Sequence, residues 1–295
     1  MYMWRSLLFV PANREKMLNK LASLPADGFI FDLEDTVPAD QKANARAMAS
    51  ETIARLPKGT CWVRANALPT GFMHEDFAAF VGNPGLAGFV LPKQDTAADV
   101  HAVDRMLTSL EVSRGLEPGS TKAIAMIESA SGVLFAHQIM TAAKRIVSGI
   151  YGGGEDGDMN VSLGATWTSA GPEMMFARQM SFLSMRAANI DCPLDGVFAN
   201  ITDHEGFASD TRLSQRLGFR GRTVIHPNQV EAANRIYMPS EADITYYGRV
   251  IAAYQEALTR GTASTTVDGK LVDVAMATRA QRVLDLAEAY KKRGT

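Results

Sequence analysis

Long apolar runs are missing from this chain. None of its hydrophobic stretches approaches the roughly 18 consecutive residues that a membrane-spanning helix needs, so no membrane partner is expected. Charge of one sign is lacking too: 30 Lys and Arg stand against 32 Asp and Glu, a formal net charge of −2. That balance gives no electrostatic footprint for nucleic acid or an anionic lipid surface. Cysteine is scarce. Cys61 and Cys192 are too few for a disulfide framework, and each lies beside a strand-like run, so they read as reduced thiols of a cytoplasmic protein. The apolar part of the first ten residues is short and reaches Pro11 without a small-residue cleavage site. It reads as a first strand rather than a signal peptide. No G-x-G-x-x-G follows that strand, which argues against an open nucleotide-binding sheet. Internal repeats and low-complexity tracts are also absent.

What is present is a 46% hydrophobic chain with short apolar runs separated by helical patterns. The runs are Ser6–Pro11, Gly28–Asp35, Cys61–Asn66, Gly88–Lys93, Lys122–Glu128, Arg145–Asp156, Pro193–Asn200 and Gly221–Pro227. Strands buried on both faces read as near-continuous apolar segments, as these do. About eight such strands alternating with helices over roughly 230 residues predict an α/β fold, a (β/α)8 TIM barrel with a C-terminal helical extension. The expected division is a barrel over residues 1–235 and an extension or lid over 236–295. Within the extension, 241–260 has apolar residues at helical spacing, Asp268-Gly269 predicts a hairpin turn, and 274–292 a last helix.

In such a barrel, functional groups stand where strands end. The predicted ends carry Asp32, Glu34 and Asp35; Arg64 and Asn66; Lys93; Glu128; Glu155 and Asp156; Asn200; and His226. The run Arg145-Ile-Val-Ser-Gly-Ile-Tyr-Gly-Gly-Gly-Glu-Asp156 is the most pointed of these. Its glycines let the backbone turn and approach a bound group, and two acids follow. Carboxylates at two strand ends, Glu128 and Asp156, without nearby Cys or His, suit a hard cation such as Mg2+. Each acid taken alone also has a plain reading as a loop cap or surface charge.

The segments Phe9-Val-Pro11 with Arg14, Phe31-Asp-Leu-Glu-Asp35, Val63-Arg-Ala-Asn66, Leu91-Pro-Lys93, Ile127-Glu-Ser-Ala-Ser-Gly132, Gly154-Glu-Asp156 and Ile225-His-Pro227 occur in this order. Together they resemble the HpcH/HpaI aldolase/citrate lyase superfamily, in its citrate lyase β-subunit-like branch with the malyl-CoA and citramalyl-CoA lyases. The resemblance implies Mg2+ on Glu128 and Asp156, a catalytic arginine at Arg64, and carbon–carbon bond cleavage or formation on a 3-hydroxy-dicarboxyl thioester. It brings Arg64, Glu128, Arg14, Asp32 and Glu34 into substrate binding. Asp268-Gly-Lys-Leu-Val-Asp273 is similar to a tail motif whose last aspartate transfers a proton from a neighbouring subunit, which implies a homo-oligomer, trimer or hexamer. Asp273 equally suits a plain helix cap. Arg14, Lys16, Lys42 and Arg46 either bind the phosphates of coenzyme A or lie on solvated helix faces. His226 reads as structural and Glu155 as support. Gly157 stands where the family usually has Leu, and the loop after the acids looks longer. The alternatives are an acyl-CoA thioesterase at the same site, a class II aldolase on free hydroxy-keto acids, and a non-catalytic subunit of a lyase complex.

Overall fold

The computed structural model describes residues 2–168 and 171–292. Eight parallel strands close into a barrel in chain order: β1 (Ser6–Pro11), β2 (Gly28–Asp32), β3 (Cys61–Arg64), β4 (Leu86–Leu91), β5 (Lys122–Ile127), β6 (Ile146–Tyr151), β7 (Leu194–Asp195) and β8 (Gly221–Val224). β1 closes the ring on β8 through Ser6↔Arg222, Leu7↔Thr223 and Leu8↔Val224. The helices are α1 (Glu15–Leu18), α2 (Lys42–Ile53), α3 (Met73–Phe80), α4 (Ala97–Ser113), α5 (Ala130–Thr141), α6 (Asp158–Leu163), α7 (Pro172–Ala187), α8 (His204–Leu217), α9 (Pro227–Tyr237), α10 (Glu241–Thr259) and α11 (Val274–Lys291). The predicted barrel with C-terminal helices is therefore the observed one.

The strands are apolar because both of their faces are covered. Ile30, Phe31, Trp62, Val63, Phe89, Val90, Ile124 and Ile127 are all fully buried. Phe89 meets Phe77 of α3 edge-on, with ring centroids 4.7 Å apart, a geometry that adds about 1 kcal/mol to the area buried. Polar groups inside this shell are paired. Arg145, the residue before β6, is 2% exposed and reaches Asp104 and Glu111 of α4 and the Thr121 carbonyl. These contacts hold the strand's start and leave its far end to the site.

One predicted strand is shorter than expected, and two connections take definite form. α1 ends at Leu18 and a tight turn over Leu21–Ser23 follows; Leu24, ahead of Pro25, is extended, as a residue before proline prefers. The seventh strand pairs over Leu194–Asp195 only. Beyond it, Gly196 packs so closely on the β6 end that an added Cβ would lie 2.4 Å from the Gly153 carbonyl oxygen. The stretch after Asp156 contains α6, closed by Gly164 in the left-handed conformation.

The contacts divide the chain into two compact units, Met1–Asn234 and Arg235–Thr295, so the boundary falls inside α9. In the second unit α10 packs on α11 and on a hairpin of β9 (Thr265–Val267) and β10 (Lys270–Val272). Its core is Val250, Val267, Val272 and Ala280, with Tyr246, Tyr247 and Tyr254 against it. Among the described residues no helix is long and apolar enough to cross a membrane.

Candidate active site

β2 and β3 run side by side with Asp32 opposite Arg64. Arg64 donates from Nε and Nη2 to the two oxygens of Asp32, both at 2.7 Å, and its Nη1 lies 3.1 Å from Glu34 and 3.2 Å from Asp35. The Phe9 ring of β1 covers the guanidinium, 5.1 Å from its carbon to the ring centroid. Asp32 also accepts from the Glu34 N–H at 2.9 Å and the Thr36 hydroxyl at 2.6 Å, which folds the loop after β2 back over the barrel mouth. Burial pulls the Asp32 carboxyl up, but Arg64 and these hydrogen bonds outweigh it and hold the group below the usual carboxylate range. Arg64 is 8% exposed, and the surrounding acids keep it charged against its burial.

Glu128 follows β5 directly. Ser129 next to it caps α5, accepting from the Gly132 N–H at 2.9 Å, so the strand-to-helix turn sets where Glu128 stands. One carboxylate oxygen accepts from the Lys93 N–H at 2.6 Å. The other faces the end of β6, where Gly152 makes room: a Cβ there would lie 2.6 Å from the Glu128 Cβ and 3.2 Å from Oε2. Lys93 has a left-handed backbone, φ 52°, and its ammonium lies 3.1 Å from Glu34, 3.5 Å from Asp35 and 3.6 Å from Asp158. Five carboxylates (Asp32, Glu34, Asp35, Glu128 and Asp158) thus share two cations, Arg64 and Lys93. Glu128 is 6% exposed, and burial pushes its carboxyl up to about 7; burial does the same to Glu34.

This donor set fits Mg2+. It is all oxygen, it has a surplus of negative charge, and both glutamates resist ionising without a further cation. Among the described residues no three His, Cys, Asp or Glu side chains are gathered closely enough to hold a metal alone. An ion here would use few protein oxygens and keep the remaining positions for water and substrate, the usual habit of Mg2+. Asp156 lies on the turn between β6 and α6, exposed and in a left-handed backbone with φ 53°. Asp158 is two residues further on, at the start of α6.

The structure gathers Asp32, Glu34, Arg64 and Glu128 at one end of the barrel and sorts the other candidates. Lys42 is buried and donates to the Leu33, Glu34 and Val37 carbonyls, so it ties down the loop after β2 and has no exposed charge for a phosphate. Arg46 pairs with Glu75 and Asp76. Asn66 donates to Asp76 as well, so this predicted strand-end residue braces α3. Arg14 and Lys16 are exposed at α1, Glu155 is exposed, and His226 accepts from the Asn228 N–H at the start of α9. Asn200 lies five residues beyond β7 in a turn, accepting from Thr202 and Asp203. In the second unit, Asp273 caps α11 by accepting from the Ala275 and Met276 N–H groups. Sequence reasoning named Lys93 only as a strand end and gave Asp158 and Gln94 no role. The signal for Lys93 was its place one residue after Pro92, where β4 has to stop.

The profile of the HpcH/HpaI aldolase/citrate lyase family matches residues 5–227. The chain belongs to that family. Over 287 residues it is 37% identical to the citrate lyase subunit beta of Leuconostoc mesenteroides subsp. cremoris, covering 97% of this chain and 93% of the relative. It is 33% identical over 306 residues to the L-malyl-CoA/beta-methylmalyl-CoA lyase of Cereibacter sphaeroides, covering 96% and 94%. Among solved structures, the protein CitE from Mycobacterium tuberculosis in complex with magnesium, acetoacetate and coenzyme A superposes with a TM-score of 0.77. It is 28% identical and covers 97% of this chain and 98% of that one.

Proposed function

We propose that this member of the family is a Mg2+-dependent carbon–carbon lyase. It cleaves, or forms, a 3-hydroxy-dicarboxyl thioester such as malyl-CoA, citramalyl-CoA or a citryl thioester, giving a keto acid and an acetyl thioester. The observation that carries the reading is the buried Glu128 in an acid-rich, cation-poor pocket beside a forked Arg64 at the strand ends. Full-length similarity to a citrate lyase subunit and a malyl-CoA lyase supports it.

In this reading Glu128 and Asp156 hold Mg2+, which when bound supplies positive charge that favours ionised substrate oxygens. Arg64 presents a charge that Asp32 keeps oriented, aimed at the substrate carboxylate or at the enolate oxygen that develops on the thioester. Asp273 takes the proton from the substrate hydroxyl. The oxygen's electron pair then forms the new carbonyl, and the carbon–carbon bond breaks. Its electrons pass to the acyl α-carbon, which takes up a proton to give the acetyl thioester. Glu34, between Arg64 and Lys93, keeps both cations in place.

The reading includes a homo-oligomer, trimer or hexamer, in which Asp273 serves a neighbouring subunit. Leu271, Val274 and Met276 are exposed apolar side chains close to Asp273 in sequence, which supports a covered surface there. Neither Cys61 nor Cys192 forms a disulfide, in keeping with a cytoplasmic location. The test is to incubate the protein with Mg2+, acetyl-CoA and glyoxylate, pyruvate or oxaloacetate in turn. One pair should condense and the reverse cleavage should release the same keto acid. All three inert would sink the proposal, and free coenzyme A without keto acid would indicate a thioesterase instead.

A further inference from the structure

Beyond Tyr151, the turn that carries Asp156 has little sheet to lean on. Gly152 donates to the Ile127 carbonyl of β5 at 2.8 Å, but on the other side, among the described residues, β6 pairs with β7 at Ile150↔Leu194 alone. In place of a ladder, backbone lies directly on backbone. An added Cβ at Gly196 would stand 2.4 Å from the Gly153 carbonyl oxygen and 2.6 Å from that of Tyr151, well inside van der Waals contact. Gly154 faces Val197 in the same way, with 3.2 Å left for a Cβ. The backbone at 196 is outside the left-handed region, so glycine stands there for the close approach and not for a turn.

Gly196 is itself held. Its carbonyl accepts from Nε and Nη2 of Arg222, at 3.2 and 2.8 Å, and its N–H donates to the Asp195 carboxylate at 2.9 Å. Arg222 lies opposite Asp195 in the β7–β8 ladder and is 1% exposed. Its Nη1 donates to the Thr211 hydroxyl of α8 at 2.8 Å and stands 3.0 Å from Asp210. Arg178 of α7 closes the cluster on Asp195 and Asp210. Two arginines against two acids leave the cluster neutral, with no charge for a ligand to answer. An ion pair alone would not need the grip on Gly196, where two N–H groups of one rigid fork are given to a single peptide carbonyl.

We propose that Arg222 and Gly196 are positioning residues for the metal site. Arg222 fixes the Gly196 carbonyl, and Gly196 is the seat on which the Gly153–Asp156 turn rests, so the pair sets where the Asp156 carboxylate stands. The inference rests on the reading of Asp156 as a Mg2+ ligand. It assigns to the β7 and β8 side of the barrel, which supplies no ligand in that reading, the placing of one.

The experiment is calorimetric titration of Mg2+ into the full chain, with thermal midpoints of the metal-free proteins beside it. Gly196→Ala adds the one carbon that must push the turn away, and Arg222→Lys keeps the charge but gives up the fork. Asp210→Asn loosens the arginine from a partly exposed position and keeps the test open where a buried change does not fold. Arg145→Lys is the control, because it breaks a buried network beside the opposite end of β6. Gly196→Ala and Arg222→Lys should raise the Kd for Mg2+ about tenfold or more, and Asp210→Asn several-fold, as the loss of groups that orient a metal ligand does. Arg145→Lys should lower the thermal midpoint and leave the Kd within about twofold. In an Asp156→Asn background, Gly196→Ala should add less than about twofold, because its route to the metal is already cut. An unchanged Kd in the folded Gly196→Ala, Arg222→Lys and Asp210→Asn proteins, with affinity lost in Asp156→Asn, overturns the inference alone. An equal loss in Arg145→Lys overturns it too, since general loosening would then suffice, and so does a full Gly196→Ala effect in the Asp156→Asn background. Normal Mg2+ binding by Asp156→Asn sinks the ligand reading and takes the inference with it.

Discussion

Asp32 and Arg64 are direct neighbours across the β2–β3 ladder, and their side chains meet in a two-point fork with both contacts at 2.7 Å. The pair fixes the direction of the guanidinium, so the two residues are expected to fail in different ways. Arg64→Lys keeps the charge and loses the fork, and should lower kcat/KM about 100-fold while the protein stays folded. Asp32→Asn leaves a buried guanidinium short of one acceptor. Removing a partner from a buried pair costs about 3–5 kcal/mol, and Glu34 and Asp35 should hold the loss near the lower figure. Steady-state kinetics and urea unfolding check the two. Full activity in Arg64→Lys would remove the arginine from the chemistry.

Mg2+ affinity should depend on the acids unequally. Glu128→Gln and Asp156→Asn are each expected to weaken Mg2+ at least about 100-fold in calorimetry, as losing one of few carboxylate ligands does. Asp158→Asn should weaken it several-fold at most, through lost charge alone. A larger loss in Asp158→Asn than in Asp156→Asn would reassign the ligand to α6.

The pH dependence follows from burial. Glu34 and Glu128 are pushed from the usual 4.5 up to about 7. Between those values the folded, metal-free protein holds protons that the unfolded chain has released. Their contribution is therefore full below about pH 4.5, and it is lost as pH rises through 7. Mg2+ favours the ionised carboxylate and should recover that loss. Thermal midpoints of the metal-free protein are expected to fall from pH 5 to pH 8, with a Mg2+ benefit that grows above pH 7. An equal Mg2+ benefit at pH 5.5 and pH 8 would contradict this.

Asp273 allows a clean separation of roles because asparagine caps a helix about as well as aspartate. Asp273→Asn should keep the hydrogen bonds to Ala275 and Met276, unfold like the wild type and lose turnover about 100-fold. Asp273→Ala should lose about 1 kcal/mol of stability in addition. Normal turnover in Asp273→Asn would leave the residue as a cap only.

Much of the barrel was legible in the sequence because parallel strands covered on both faces must be apolar throughout, and Gly28–Asp32 or Lys122–Ile127 are unmistakable in that respect. β7 was overread because Val197 and Phe198 continue its apolar run, while the ladder stops where Gly196 meets Gly153. That is a contact between distant segments which no local pattern carries. The acids at the strand ends were visible one by one. What the sequence did not show is their sharing of two cations: Lys93 reaches Glu34, 59 positions earlier, and Asp158, 65 later, and only closure of the barrel brings them together. Lys42 is the opposite case. The family resemblance offers it as a phosphate ligand or a solvated helix charge, and its three carbonyl partners show a structural strut.

Gly152 carries no functional group, yet Glu128 can stand where it does only because position 152 ends at a hydrogen. One added carbon would arrive 2.6 Å from the Glu128 Cβ and displace the acid, while the strand, with a backbone any residue adopts, would persist. A side chain at 152 would thus part the fold from the acid: the barrel would stand while Glu128 lost its place, with every acid and the arginine unchanged.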